Sequence, residues 1–234
     1  MDIAIVGGTG DIGFGLALRL GRAGERVVIG SRDAARAAAR AAEAAVTLGG
    51  GVSIEGAPNQ DAVAACGVVL VTVPYAAQAE TYRGIRDAVR QDAIVCDATS
   101  PLATAVGGRA WQVLRPWEGS AAEQARALLR TGTRLVSGFQ TVAAEALRDL
   151  DRDLDGDVLL CGADAEAKAV IGGLVEEIPA LRWADVGPLS MARVVEPLTA
   201  VLVGANRTYG VRTAGIRLTG RPAWGSPPGR PAGA

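Results

Sequence analysis

A chain of 234 residues with 24 basic and 25 acidic residues and a pI near 5.6 can bury a real core, and it carries no electrostatic footprint for nucleic acid or an acidic membrane. It contains no histidine, and its three cysteines, Cys66, Cys96 and Cys161, lie far apart. Those facts exclude a Ser-His-Asp triad, a Cys-His pair, His-ligated zinc and a CxxC metal site, so no metal is expected and the cysteines read as buried strand ends. No apolar run reaches the roughly 18 residues of a membrane span. The Met1 strand begins at once, without the basic and apolar stretches of a signal peptide. A cytoplasmic protein handling small molecules is expected, with neither nucleic acid nor membrane as partner.

The first 36 residues read as strand, glycine turn, helix and strand. Asp2-Ile3-Ala4-Ile5-Val6 is an apolar strand, and Gly8, Gly10 and Gly13 follow it in G-x-G-x-x-G register, the context in which the dinucleotide fingerprint carries meaning. The first glycine permits a tight turn and the second lets the backbone approach a pyrophosphate. The third lets the next helix pack on the strand. Gly8-Thr9-Gly10-Asp11-Ile12-Gly13 is therefore the expected phosphate cradle, aided by the positive end of the helix starting near Asp11.

The second strand ends Gly30-Ser31-Arg32, with Arg36 one helical turn further on. An NAD site usually ends this strand in a carboxylate. A hydroxyl and two guanidiniums would instead bind a 2′-phosphate by charge-assisted hydrogen bonds, so NADP is expected over NAD. Asp33 reads as a helix cap or a solvent-facing group.

Residues 34–48 form an alanine-rich helix ended by Gly49-Gly50-Gly51. Residues 52–55 alternate like a short strand and 59–66 read as a short helix. Val68 to Val73 is a β-branched run suited to a strand covered on both faces. It stops at Pro74-Tyr75, at the carboxyl end of the sheet where ligands collect. A helix over 76–90, a strand over 93–97 and a loop over 98–101 follow, then an irregular stretch over 102–117. Ser120 and Glu123 form a capping box for a helix reaching 129. Further strands are predicted at 134–139, 157–161 and 181–186, with helices at 143–150 and 165–178.

Residues 190–205 form a strongly apolar helix kinked at Pro197, which predicts burial against the sheet or in a homodimer. From 220 the chain is rich in Pro and Gly and is expected to be disordered. The alternation predicts an α/β fold: a Rossmann-like, doubly wound, mostly parallel sheet. Residues 1–185 would form the NADP-binding domain, 186–219 a small C-terminal helical extension and 220–234 the tail.

Several stretches resemble the F420-dependent NADP reductases: Gly7 to Gly13 with Gly15-Leu16-Ala17-Leu18-Arg19-Leu20, Gly30-Ser31-Arg32, Thr72-Val73-Pro74-Tyr75, Trp117-Glu118-Gly119-Ser120-Ala121-Ala122-Glu123, Gly187-Pro188-Leu189-Ser190, Arg193-Val194-Val195-Glu196-Pro197-Leu198-Thr199 and Ala214-Gly215-Ile216-Arg217-Leu218. The resemblance implies hydride transfer between NADP(H) and the deazaflavin coenzyme F420. It implies adenosine-phosphate roles for Thr9, Ser31, Arg32 and Arg36, and places Val73 and Pro74 beside the nicotinamide ribose. Val142 would set the packing of the reacting rings, with Arg193 and Thr199 near the deazaflavin. Gln140 stands where the family often has histidine; it can hydrogen-bond the deazaflavin but cannot carry a proton. Pro197 stands where serine is common.

Such chemistry needs no side-chain nucleophile, because the cofactors supply the reactive atoms. A related enzyme acting on an imine or carbonyl would need a proton donor, for which Tyr75, Glu145 and Lys168 are candidates. A third reading is an NADP-binding sensor without turnover. Arg193 also reads as a surface charge, Val142 as core, and Trp111 and Trp117 as loop packing.

Overall fold

The structure is a computed structural model and describes residues 1–220 and 224–225. Six strands, β1 (Asp2–Val6), β2 (Arg26–Ser31), β3 (Ile54–Pro58), β4 (Val68–Val71), β5 (Ile94–Asp97) and β6 (Arg134–Ser137), form a parallel sheet in the order β3-β2-β1-β4-β5-β6. Ile5 pairs with Ile29 on one side and Leu70 on the other. The reversal of order at β1 and β4 is the doubly wound switch point. Alternate residues of one strand feed opposite cores, as the two-residue period of a strand requires. Ile3 and Ile5 pack with Phe14 and Leu16 of α1 (Asp11–Arg22) and with Ala41 of α2 (Ala34–Thr47). Ala4 and Val6 pack with Val63 of α3 (Asn59–Ala65), Tyr82 of α4 (Tyr75–Ile85) and Ala125 of α5 (Ala121–Leu128). Both faces are therefore covered, which is why these strands read as continuous apolar runs.

The sheet does not stop at β6. Ser137 and Cys161 exchange backbone hydrogen bonds of 2.8 and 2.9 Å in an antiparallel bridge. That bridge attaches a parallel pair, β7 (Gly156–Leu160) and β8 (Leu181–Asp185). Helix α6 (Ala144–Arg148) lies between β6 and β7, and α7 (Ala165–Glu176) between β7 and β8. The three cysteines are buried as expected, one in each of three separate apolar clusters, but Cys66 ends helix α3 and is not at a strand end.

Buried Arg19 of α1 ties the first half of the chain to the second. Its guanidinium donates to the carbonyls of Leu147, Ala146 and Arg152 at 2.9, 2.9 and 2.8 Å, and to that of Asp149. The first two and that of Asp149 are groups that the end of α6 leaves without helical donors; Arg152 belongs to the segment that follows.

Three expectations shift. The third strand is Ile54–Pro58, two residues later than alternation suggested, because it pairs residue by residue with Val27–Ser31. The terminal helix divides at Pro197 into α8 (Ala192–Val195) and α9 (Leu198–Tyr209), and α9 continues to a left-handed Gly210 cap. Within the single chain only Ala200 of α9 is buried, so it is not covered by the sheet. Of the stretch expected to be a disordered tail, Trp224 and Gly225 are described and held: the Gly225 N–H donates to the Trp183 carbonyl at 2.9 Å, and Trp224 packs on Leu159, Ala184 and Val195. Residues 221–223 and 226–234 lie outside the described residues.

Candidate dinucleotide and hydride-transfer cleft

The turn after β1 is built from glycines that tolerate nothing larger. Gly7 has φ +80°, and a Cβ there would lie 2.8 Å from the Val73 side chain; at Gly13 it would lie 2.5 Å from Thr72 Oγ1 and 2.7 Å from Gly8 Cα. Gly10 is the N-cap of α1 and offers no side-chain acceptor. The first N–H groups of the helix therefore remain available to an anion. Gly7 carries the strained conformation, and the spacing rule alone does not select it.

This turn opens into a cleft of about 600 Å³ across the carboxyl ends of the strands. It brings together Thr9, Gly10, Asp11, Ile12, Ser31, Arg32, Arg36, Val73, Pro74, Gln140 and Thr199. Gly8 and Gly13 are not among its lining residues; a Cβ at Gly8 would lie 2.8 Å from the Ile5 carbonyl, so both serve the close packing of the turn. Residues not anticipated from sequence also line it, among them Asn59, Thr99 and Ser100. Their signal was positional: each follows the carboxyl end of a strand, as Pro74 does.

At one end the cleft is cationic. Arg32 is 74% exposed and 3.9 Å from Glu80, and Arg36 has no ion-pair partner among the described residues. Asp33 turns away to cap α2, accepting from the Arg36 N–H at 3.1 Å. Its own N–H donates to Ser31 Oγ at 3.2 Å, so the Ser31 hydroxyl keeps its hydrogen for a ligand.

The other end is organised by buried Asp97. Its carboxylate accepts from Tyr82 Oη (2.6 Å), Gln78 Nε2 (2.9 Å) and the Thr99 N–H (2.8 Å). Burial raises its pKa, and those hydrogen bonds oppose the rise. Asp97 thereby fixes the 98–101 loop. Gln78 passes the hold to Gln124 (2.9 Å), which accepts from Tyr75 Oη at 3.0 Å. Gln140 donates through Nε2 to the Asp97 carbonyl (3.1 Å) and to Ser137 Oγ (2.8 Å).

Two buried acceptors of the cleft-lining residues have no hydrogen-bond partner among the described residues: Gln140 Oε1 here, and Asn59 Oδ1 nearer the cationic end. Orphaned polar atoms at both ends of one cleft fit a long polar ligand, since a buried group left unpaired is costly. The free N–H groups and cations suit phosphates.

Two further expected site residues, Val142 and Arg193, lie away from the cleft. Val142 is 8% exposed, within the main core, and borders a separate cavity of about 90 Å³ with Ala146 and Leu154. Arg193 pairs with Glu123 and donates to the Glu118 carbonyl at 3.3 Å. Gly119, at φ +112°, leaves it room, since a Cβ there would sit 2.4 Å from Arg193 Nε. Hydrogen bonding raises the Arg193 pKa and lowers that of Glu123.

Nearby, buried Glu196 accepts from the Ala121 and Ala122 N–H groups at 2.8 and 2.9 Å. Burial pushes its pKa up to about 8 against the pull of those two donors. Residues 117–123 and 193–199 are thus two halves of one joint, which carries Thr199 to the cleft. Ser120 caps α5 as expected, but Glu123 turns to Ser120 Oγ and Arg193 instead of back to the Ser120 N–H.

Of the three proton-donor candidates, Lys168 is buried against Asp185 at 2.6 Å and Glu145 pairs with Arg212 on the surface. Only Tyr75 lines the cleft, and burial raises its pKa. Among the described residues no cluster of His, Cys, Asp or Glu could hold a metal, and no helix is long and apolar enough to cross a membrane. Trp111 packs between Arg109 and Arg207, 5.3 and 4.3 Å from its ring, whereas Trp117 is 99% exposed.

The family described as NADP oxidoreductase coenzyme F420-dependent matches residues 2–101. The F420-dependent NADP reductase of Methanothermobacter thermautotrophicus is 44% identical over 95% of this chain and 96% of its own length. That of Methanocaldococcus jannaschii is 40% identical over 94% and 98%. Among solved structures, one from Arthrobacter sp. FB24, described provisionally as an F420-dependent NADP reductase, superposes with a TM-score of 0.80 at 23% identity, over 94% of this chain and all of that one. A Streptomyces aurantiacus imine reductase gives a TM-score of 0.59 at 19% identity over 89% of this chain and 64% of its own, a likeness of fold alone.

Proposed function

This chain belongs to the F420-dependent NADP reductase family, and from that premise we propose that it transfers a hydride between NADP(H) and coenzyme F420 in the cleft just described. The observation that carries the reading is the cleft's polarity, with a glycine turn and two arginines at one end and a neutral, hydroxyl-lined pocket at the other. The cofactors supply the reacting carbons and the electrons. The chain supplies position, holding two rings about 3–3.5 Å apart and excluding water.

The α1 N-terminus receives the pyrophosphate, with Thr9, Gly10, Asp11 and Ile12 around it. Ser31, Arg32 and Arg36 receive the 2′-phosphate. Val73 and Pro74 flank the nicotinamide ribose, while Gln140 and Thr199 face the deazaflavin. Val142 acts from the core, supporting the Gln140 segment. Arg193 acts by holding α8 against α5. Lys168 and Glu145 are engaged elsewhere, and the hydroxyl of Tyr75, the candidate left at the cleft, donates to Gln124, which disfavours an imine or carbonyl reductase.

Residues 1–185 serve as the NADP-binding unit and 186–219 as the extension completing the second site. The protein works in the cytoplasm as a homodimer. The exposed Val201 and Tyr209 of α9 are the support for that pairing, and a monomeric mass in solution would dispose of it.

The test is to mix the purified protein with NADPH and oxidised F420 and follow both absorbance bands. Coupled loss of the two is expected. NADPH binding without oxidation would sink the proposal in favour of a sensor.

A further inference from the structure

The side-chain hydrogen-bond donors around Ser100 at the neutral end of the cleft are already committed to the protein. Tyr75 Oη donates to Gln124 and Thr99 Oγ1 to the Val73 carbonyl at 3.4 Å. Both amide hydrogens of Gln140 are engaged, and the Asp97 carbonyl fixes which way that amide faces. Thr199 Oγ1 lies 2.9 Å from the Gln140 carbonyl and 2.7 Å from Ser100 Oγ. A carbonyl can only accept, so Thr199 must give its hydrogen to Gln140. Ser100 must then give its own hydrogen to Thr199. The relay runs Ser100 to Thr199 to Gln140, and it leaves Ser100 Oγ facing the cleft with lone pairs only.

The opposite end is the reverse, with the Ser31 hydroxyl, Arg32 and Arg36 all offering hydrogens. We propose that Ser100 is a recognition residue whose ordered hydroxyl accepts a hydrogen bond from an amide-type N–H on the ring system bound at the neutral end. This deepens the functional reading and rests on it. Two sources share that chemistry: the carboxamide of nicotinamide and the imide N–H of the deazaflavin. A ligand that presents only a carbonyl to this position meets acceptor against acceptor and is rejected.

The test measures binding by the fluorescence of NADPH and of F420, without turnover. Ser100→Ala should weaken one cofactor about three- to tenfold, the range of a single neutral hydrogen bond, with only the small fall in melting temperature that loss of the Ser100–Thr199 hydrogen bond brings. Selective loss for NADP(H) assigns the carboxamide. Its 3-acetylpyridine analogue, which lacks the N–H, should then bind wild type and variant equally. Selective loss for F420 assigns the imide, and an N-methylated deazaflavin should then be indifferent to the substitution. Unchanged binding of both cofactors, or equal loss for a cofactor and its N–H-free analogue, would overturn the proposal while leaving the functional reading intact. A wild-type protein that binds neither cofactor would overturn both.

Discussion

Arg193 grips Glu123 with two prongs, Nε and Nη2 each 2.7 Å from a different carboxylate oxygen, and so locks the short helix before Pro197 to the start of α5. If the pair acts as a unit, Arg193→Ala and Glu123→Ala should lower the melting temperature and weaken F420 to the same extent. The double variant should do little more, because coupled residues are not additive. A larger F420 loss for Arg193→Ala than for Glu123→Ala would assign Arg193 a direct ligand contact. Gly119→Ala should cost about 1–3 kcal/mol from its left-handed conformation alone, beyond displacing the guanidinium, and urea unfolding would measure it.

Arg32→Ala is expected to weaken NADPH roughly ten- to a hundredfold, the loss of a charged hydrogen bond of about 1.5–3 kcal/mol. NADH should be almost unaffected. Equal losses for both would show that Arg32 does not touch the 2′-phosphate. Glu80→Gln, which removes the carboxylate 3.9 Å from Arg32, should strengthen NADPH slightly, and less so at high salt.

Glu196 predicts an unusual pH dependence. Its carboxyl is raised from an ordinary value of 4.5 to about 8 by burial, so the folded protein holds a proton that the unfolded chain releases. That contribution is fully present below pH 4.5 and is lost as the pH rises through 8, on the order of a few kcal/mol. Glu196→Gln should flatten the stability profile over that window, as measured by thermal unfolding between pH 5 and 9. A profile identical to wild type would show that another group dominates.

Removing the Arg19 side chain leaves buried carbonyls without donors, at about 1–3 kcal/mol each. Arg19→Leu should therefore lower the melting temperature by several degrees and loosen the segment after Gln140. Hydrogen exchange over residues 140–152 would detect it.

The NADP half of the cleft was legible in the sequence because it is local. One turn, one helix start and one strand tip within 36 residues supply most of its groups, and the glycine spacing is a direct trace of backbone approach. The second half is assembled from β4, β5, β6 and α9, and no short-range pattern encodes how those segments meet. Ser100 is an ordinary serine until Thr199 arrives beside it. Val142 and Arg193 show the converse: for each the family motif implied a place at the deazaflavin, whereas the plainer reading of the residue, core for Val142 and surface charge for Arg193, lies nearer the structure, and the pairing of Arg193 with Glu123 was not legible at all. The division at Pro197 was readable because proline lacks the N–H that a helix needs. The anchoring of Trp224 depends on a strand edge some forty residues earlier.

The three buried thiols have a practical consequence. Burial pushes Cys66 up to about 11 and Cys161 up to about 12, and raises Cys96 as well, so alkylating reagents that require thiolate find little to attack in the native protein. Each thiol sits in a different apolar cluster: Cys66 with Val69 and Tyr82, Cys96 with Val136 and Phe139, and Cys161 with Leu159 and Ala184. Labelling rates, resolved by peptide, would then time the opening of each region separately. The chain carries its own set of three clocks for the order in which it comes apart.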